Sequence, residues 1–231
     1  MYKKKVNLIL FVVVLMSSWL QALDNTAQDK ECTKIYLVRH GQTELNAQGK
    51  IQGRSSEGIS QVGRSQDYLL SENLEQVPFK AAFSSQAQSA IQTAMILIGK
   101  RQIQVKQDSR LDERNYGSWE GRSLTEYLTA SPQQLGELEP DDSVSKRAFE
   151  FLNETASKFS GNTLLVVTHD RVIRDILAGI KSLSPEQFGV DNAGYAELSY
   201  CNGKWSVVQL QGIREITIEP IYPIPLSPLE R

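Results

Sequence analysis

The chain carries two histidines, and each stands directly after a continuous apolar run. His40 follows Ile35-Tyr36-Leu37-Val38-Arg39, and His169 follows Leu164-Leu165-Val166-Val167-Thr168 and leads into Asp170-Arg171. Runs of this kind are strands covered on both faces of a parallel sheet. Ligands of open α/β sheets lie in the crevice beyond the carboxyl ends of such strands, so both imidazoles are expected to face one site. A single histidine at a strand end is more often a hydrogen-bonded structural residue. The recurrence, with Arg39 and Arg171 close by in an otherwise acidic chain, points instead to chemistry on an anionic ligand. A third segment, residues 111–121, brings Asp112, Glu113 and Glu120 together with Tyr116, Trp119 and two glycines. It has neither helical nor strand periodicity, which suits a loop facing a substrate and equally a solvated loop.

The elements that must position these groups follow from the periodicity. From Lys34 onward, short apolar runs alternate with stretches of helical spacing, which predicts an α/β sandwich around a mostly parallel sheet. Ala81-Ala82-Phe83 is a further strand, and helices are expected over 60–74, 87–98, 143–159 and 171–180. In the third of these, Phe149, Leu152, Ala156 and Phe159 make an apolar stripe that belongs to the core. Residues 195–200 and 204–210 pair as a hairpin across Asn202-Gly203, a dipeptide suited to the positive φ of a tight turn.

The chain has 231 residues, of which 40% are apolar and 23% charged, enough for one well-buried domain. That domain is assigned to residues 34–212. Before it, Lys3, Lys4 and Lys5 precede an apolar run from Val6 to Met16 and the small residues Ser17 and Ser18, the layout of a secretory signal. Residues 1–22 are therefore read as a signal peptide cleaved after Ala22, which makes the protein periplasmic or secreted. An uncleaved segment would instead anchor it to the membrane. Residues 23–33 form a linker, and the prolines at 220, 223, 225 and 228 mark 213–231 as an extended tail. Beyond residue 22 there are 22 basic and 27 acidic residues, a balance that excludes a general nucleic-acid binder. Two cysteines cannot build a four-thiolate zinc site, and a Gly-rich nucleotide-binding loop is absent from the sequence.

Leu37-Val38-Arg39-His40-Gly41-Gln42-Thr43-Glu44-Leu45-Asn46 resembles the signature of the histidine phosphatase superfamily, also called the phosphoglycerate mutase-like family. Gly49-Lys50-Ile51-Gln52-Gly53 is similar to its next block, residues 111–121 to its acid-bearing loop, and Val166-Val167-Thr168-His169 to its second histidine block. The resemblance runs in order over residues 34–211. It implies a three-layer α/β/α sandwich whose last hairpin strand lies antiparallel beside the first strand. It also implies a phosphomonoesterase acting on a small phosphorylated substrate through a phosphohistidine. In that reading His40 is the nucleophile, Glu113 protonates the leaving oxygen, and Arg39 and His169 hold the phosphoryl oxygens. Asn46 and Gln52 add neutral contacts, and neither a metal nor another cofactor is required. The strand arrangement would bring Cys32 and Cys201 together at the end of the sheet remote from the site, where an oxidising compartment permits a disulfide.

Two positions depart from the family pattern. Ser89 stands where the family has a phosphate-binding arginine, and a hydroxyl cannot replace a bidentate guanidinium. Asp170-Arg171 replaces the usual Gly-Gly, placing a carboxylate near the phosphate while Arg171 is expected to restore the charge missing at Ser89. These departures leave a catalytically degraded member that binds a phosphorylated ligand or a partner protein as the alternative to an active phosphatase. A phosphoglycerate mutase is the third reading, disfavoured by the 55 residues between Glu113 and His169, too few for a substrate-enclosing insertion.

Overall fold

The computed structural model describes residues 32–55 and 57–217. The segment expected to be a signal peptide, most of the expected linker and most of the proline-bearing tail lie outside the described residues. The strands are β1 (Thr33–Arg39), β2 (Phe79–Ser84), β3 (Val105–Gln107), β4 (Thr163–Thr168), β5 (Phe188–Cys201) and β6 (Lys204–Glu215). The helices are α1 (Glu44–Ala47), α2 (Gln61–Asn73), α3 (Gln88–Ile98), α4 (Leu124–Thr129), α5 (Pro132–Leu135), α6 (Asp141–Lys158) and α7 (Asp170–Lys181).

The six strands form one sheet in the order β3-β2-β4-β1-β5-β6. β3, β2, β4 and β1 run parallel, and β5 and β6 are antiparallel to their neighbours. The continuous apolar strands are explained by the two layers that cover them. Ile35, Leu37, Leu164 and Val166 pack under α6 and α7, through Val144, Phe151, Leu152, Ile173 and Ile176. Val38, Leu165 and Val167 point the other way, against Leu70 and Leu74 at the end of α2 and Ala90, Ala94 and Leu97 of α3. Alternate side chains of one strand thus fill two different cores, which is why no polar residue interrupts them. The architecture is the expected three-layer α/β/α sandwich with a mostly parallel sheet.

The hairpin turns at Asn202 and Gly203, with φ of 52° and 78°, the left-handed conformation for which that dipeptide is suited. Its second strand continues to Glu215, past the expected domain end at 212, because Ile213 is buried and pairs with Val190. At the other boundary Thr33 already belongs to β1, its hydroxyl donating to the Ala156 carbonyl at 2.9 Å. Cys32 and Cys201 form a disulfide with Cα atoms 4.6 Å apart, joining the start of β1 to the end of β5. Among the described residues no helix is long and apolar enough to cross a membrane.

Candidate active site

Adjacent parallel strands bring the two histidines together. Arg39 at the end of β1 lies opposite Thr168 at the end of β4, and the His40 N–H donates to the Thr168 carbonyl at 3.1 Å. The imidazole centroids are 5.0 Å apart, with ring planes at 65°.

The two rings have different hydrogen-bond partners. His40 Nδ1 lies 2.8 Å from the Gly41 carbonyl oxygen. A carbonyl only accepts, so the proton sits on Nδ1 and Nε2 keeps its lone pair. Burial first, and then Arg39, lower the His40 pKa to about 3, so the ring is neutral throughout the physiological range. His169 Nε2 lies 2.7 Å from Ser85 Oγ, which also accepts the Ala87 N–H at 3.3 Å. With the Ser85 proton turned to Nε2, the His169 proton resides on Nδ1. Burial, followed by His40 and Arg39, holds this ring's pKa well below the ordinary value as well. His40 therefore offers a lone pair, and His169 in this tautomer would offer a neutral N–H.

Glu113 comes from the irregular loop between β3 and α4. The Thr168 hydroxyl donates to the Leu111 carbonyl at 2.6 Å, tying this loop to the end of β4. Arg54 Nε and Arg147 Nη2 donate to the Glu113 carbonyl at 3.1 and 3.2 Å, and both guanidinium groups pair with Glu139. The Glu113 carboxylate accepts the N–H of Arg114 at 2.8 Å and of Arg171 at 3.4 Å. Burial and the neighbouring Asp170 outweigh those bonds and push its pKa up to about 7. A carboxyl poised there holds a proton at neutral pH and gives it up readily.

Arg39, His40, Asn46, Gln52, Glu113 and His169 line one cavity of about 280 Å³. Lys50, Tyr116, Asp170 and Asn192 complete its polar wall. Asn46 Nδ2 donates to Gln52 Oε1 at 3.3 Å and its Oδ1 accepts from Asn192 Nδ2 at 3.0 Å. Gln52 also accepts from the Thr43 hydroxyl at 3.0 Å and donates to Ser89 Oγ at 3.1 Å. Ser89 is fully buried behind Gln52, so it reaches the cavity only through that amide. Arg39 Nη1 donates to the Val190 carbonyl at 2.5 Å and lies 3.9 Å from Asp170 Oδ1, while its buried Nε has no partner among the described residues.

Arg171 is not brought to the cavity. Its backbone N–H reaches Glu113, but its guanidinium points into an acidic cluster, pairing with Asp175 at 2.8 Å, Asp141 at 3.3 Å and Glu186 at 3.5 Å. Arg171 therefore does not supply the cavity charge expected of it, because Asp175, Asp141 and Glu186 engage its guanidinium. Two residues of the site were not anticipated. Asn192 supports both Asn46 and, at 3.2 Å, the His40 carbonyl. Its only signal is that Asp191-Asn192-Ala193-Gly194 interrupts the strand pattern, where β5 shifts register and Ala193 adopts φ 57°. Ser85 directly follows β2, and its bond to His169 depends on the neighbouring ends of β2 and β4.

The sequence matches the profile of the histidine phosphatase superfamily (branch 1) over residues 35–212. It is 28% identical over 178 residues to phosphoserine phosphatase 1 of Hydrogenobacter thermophilus, covering 71% of this chain and 84% of that protein. To a metal-independent phosphoserine phosphatase of Arabidopsis thaliana it is 32% identical over 173 residues, covering 68% and 72%. Bacillus stearothermophilus YhfR superposes with a TM-score of 0.70 and 27% identity, over 76% of this chain and 95% of that one. The profile takes in both histidines, the Glu113 loop and all or part of every strand of the sheet, and on that ground the chain belongs to the histidine phosphatase superfamily.

Proposed function

We propose that the protein is a phosphomonoesterase that hydrolyses a small phosphorylated substrate through a phosphohistidine on His40. The observation that carries this reading is the pairing, in one cavity, of a neutral imidazole with a free Nε2 and a buried carboxyl whose pKa stands near 7. His40 Nε2 attacks phosphorus, the new P–N bond forms as the bond to the leaving oxygen breaks, and Glu113 gives that oxygen its proton. Glu113, now a carboxylate, takes a proton from water. The water oxygen attacks phosphorus and the P–N bond breaks, releasing inorganic phosphate and restoring both groups. Arg39 and the His169 Nδ1–H stabilise charge on the phosphoryl oxygens during both transfers. The phosphoserine phosphatases among the relatives support a compact polar substrate, as do Lys50, Tyr116 and Asn192 in the cavity wall.

Turnover of p-nitrophenyl phosphate by the wild type, lost in His40→Ala, together with a trapped acid-labile phosphoenzyme, is the expected result. The engagement of Arg39 by Val190 and Asp170, with Ser89 in place of an arginine, favours a second reading in which the chain binds a phosphorylated ligand without turnover. Phosphate binding by calorimetry without any phosphoenzyme would select it. Export directed by residues 1–22 is part of the proposal, and periplasmic or extracellular recovery of the processed protein after cell fractionation tests it.

A further inference from the structure

Asp67, in the second turn of α2, is fully buried, and neither of the two phosphoryl transfers uses it. Its Oδ2 accepts the Thr93 hydroxyl at 2.6 Å, Thr93 Oγ1 accepts the Gly41 N–H at 3.0 Å, and the Gly41 carbonyl accepts the His40 Nδ1–H at 2.8 Å. Thr93 has one proton, and giving it to Asp67 leaves its lone pairs to face Gly41. The preceding residue of α2, Gln66, accepts the Gln42 N–H at 3.0 Å. That N–H shares a peptide unit with the Gly41 carbonyl, so accepting it strengthens the carbonyl as the partner of His40.

There is no slack between the helix and this turn. A Cβ on Gly41 would lie 2.6 Å from the Gly63 carbonyl oxygen and 2.7 Å from Asp67 Oδ2, and one on Gly63 would lie 2.1 Å from the Gln42 carbonyl oxygen. Packing alone would favour an apolar residue at position 67, since Oδ1 is buried without a hydrogen-bond partner among the described residues and burial pushes the pKa up to about 7. The hydrogen bond that Asp67 does make leads to the support of the nucleophile.

We propose that Asp67 is a positioning residue which, through Thr93 and Gly41, holds His40 in the Nδ1–H tautomer with Nε2 aimed at the cavity. The catalytic part of this proposal rests on His40 being the nucleophile, whereas the tautomer can be read without any substrate. Because the chain has two histidines, imidazole 15N labelling yields two rings to assign. In Asp67→Ala and Thr93→Val, His40 is expected to become a mixture of tautomers. Their kcat and rate of phosphoenzyme formation should fall about tenfold with KM within about twofold. Asp67→Asn and Thr93→Ser, which keep an acceptor and a hydroxyl, should restore both readouts. The double variant Asp67→Leu, Thr93→Val removes both polar groups together and serves if a single variant fails to fold. An unchanged His40 tautomer in the folded variants, or equal loss of activity in the conservative pair, overturns the proposal. A tautomer shift in a protein that never forms phosphoenzyme upholds the positioning and refutes the phosphatase reading instead.

Discussion

The two flanks of the cavity use charge differently. Around the Glu113 loop, Arg54, Arg114, Arg147 and Arg171 all have acceptors within the protein. They bind the Glu113 and Glu139 carbonyls and the carboxylates of Glu139, Asp141, Asp175 and Glu186. On the His40 flank, Arg39 stands beside two neutral imidazoles and the linked amides of Asn46, Gln52 and Asn192. The arginines of the Glu113 flank fix a loop through their acceptors, whereas Arg39 lines the cavity itself. The arginines around Glu113 are thus scaffold that places its carboxyl, and that carboxyl meets the two imidazoles at the cavity. Proximity of an arginine to the site histidines in sequence does not distinguish scaffold from cavity wall.

The sharpest way to break this comparison is to remove the proposed nucleophile. His40→Ala should lower turnover by about 10⁴-fold or more and abolish the phosphoenzyme, read by steady-state assay and by trapping in alkaline detergent. Glu113→Gln should cost about 10³-fold with substrates that have poor leaving groups and much less with an aryl phosphate, whose leaving oxygen needs little help. The same residue sets a pH dependence. Leaving-group protonation requires the carboxylic acid, so wild-type activity limited by that step falls as pH rises through about 7, and this limb disappears in the Gln variant.

Next in size is a paired test of the two flanks. Arg39→Ala should reduce kcat/KM by about 10²- to 10³-fold with little change in melting temperature. Arg171→Ala should leave phosphate affinity unchanged and lower stability by about 2–3 kcal/mol in urea titration. That figure lies below the usual cost of breaking a buried pair because Asp175, with a pKa already raised to about 6, can take up a proton once its partner is gone. The smallest expected effect belongs to Asp170→Asn. Relieving the contact with Arg39 should tighten inhibition by inorganic phosphate about threefold to fivefold, the size of a solvent-screened interaction. It should also lower the Glu113 pKa and move the alkaline limb toward lower pH. Weaker phosphate inhibition in this variant would mean that Asp170 assists binding.

Much of the fold was legible because the strands are buried on both faces. Leu164 to Val167 could be read as a covered strand from four residues, and Asn202-Gly203 as a turn from two, since these signals are local. The end of the last strand was less legible. Whether it stops at 210 or runs on to 215 depends on Ile213 finding Val190 across the hairpin, a contact between distant residues. The candidate site divides in the same way. His40, Glu113 and His169 lie beside recognisable elements, whereas Asn192 and Asp67 are unremarkable in sequence and acquire their places only when β5 and α2 close on the His40 turn.

By itself the sequence determined the kind of chemistry on offer: two imidazoles at strand ends, an acid on an irregular loop, and Ser89 where a guanidinium would be expected. Only the tertiary structure decided which neighbours those groups keep. Residue type sets what a side chain is able to donate, accept or ionise. Which tautomer it holds, how far burial shifts its pKa and whether its charge is already neutralised depend on atoms supplied by residues far away in the chain. For that reason Arg39 and Arg171, each within two residues of a site histidine, end in opposite roles, one at the cavity and one in an acidic cluster behind it.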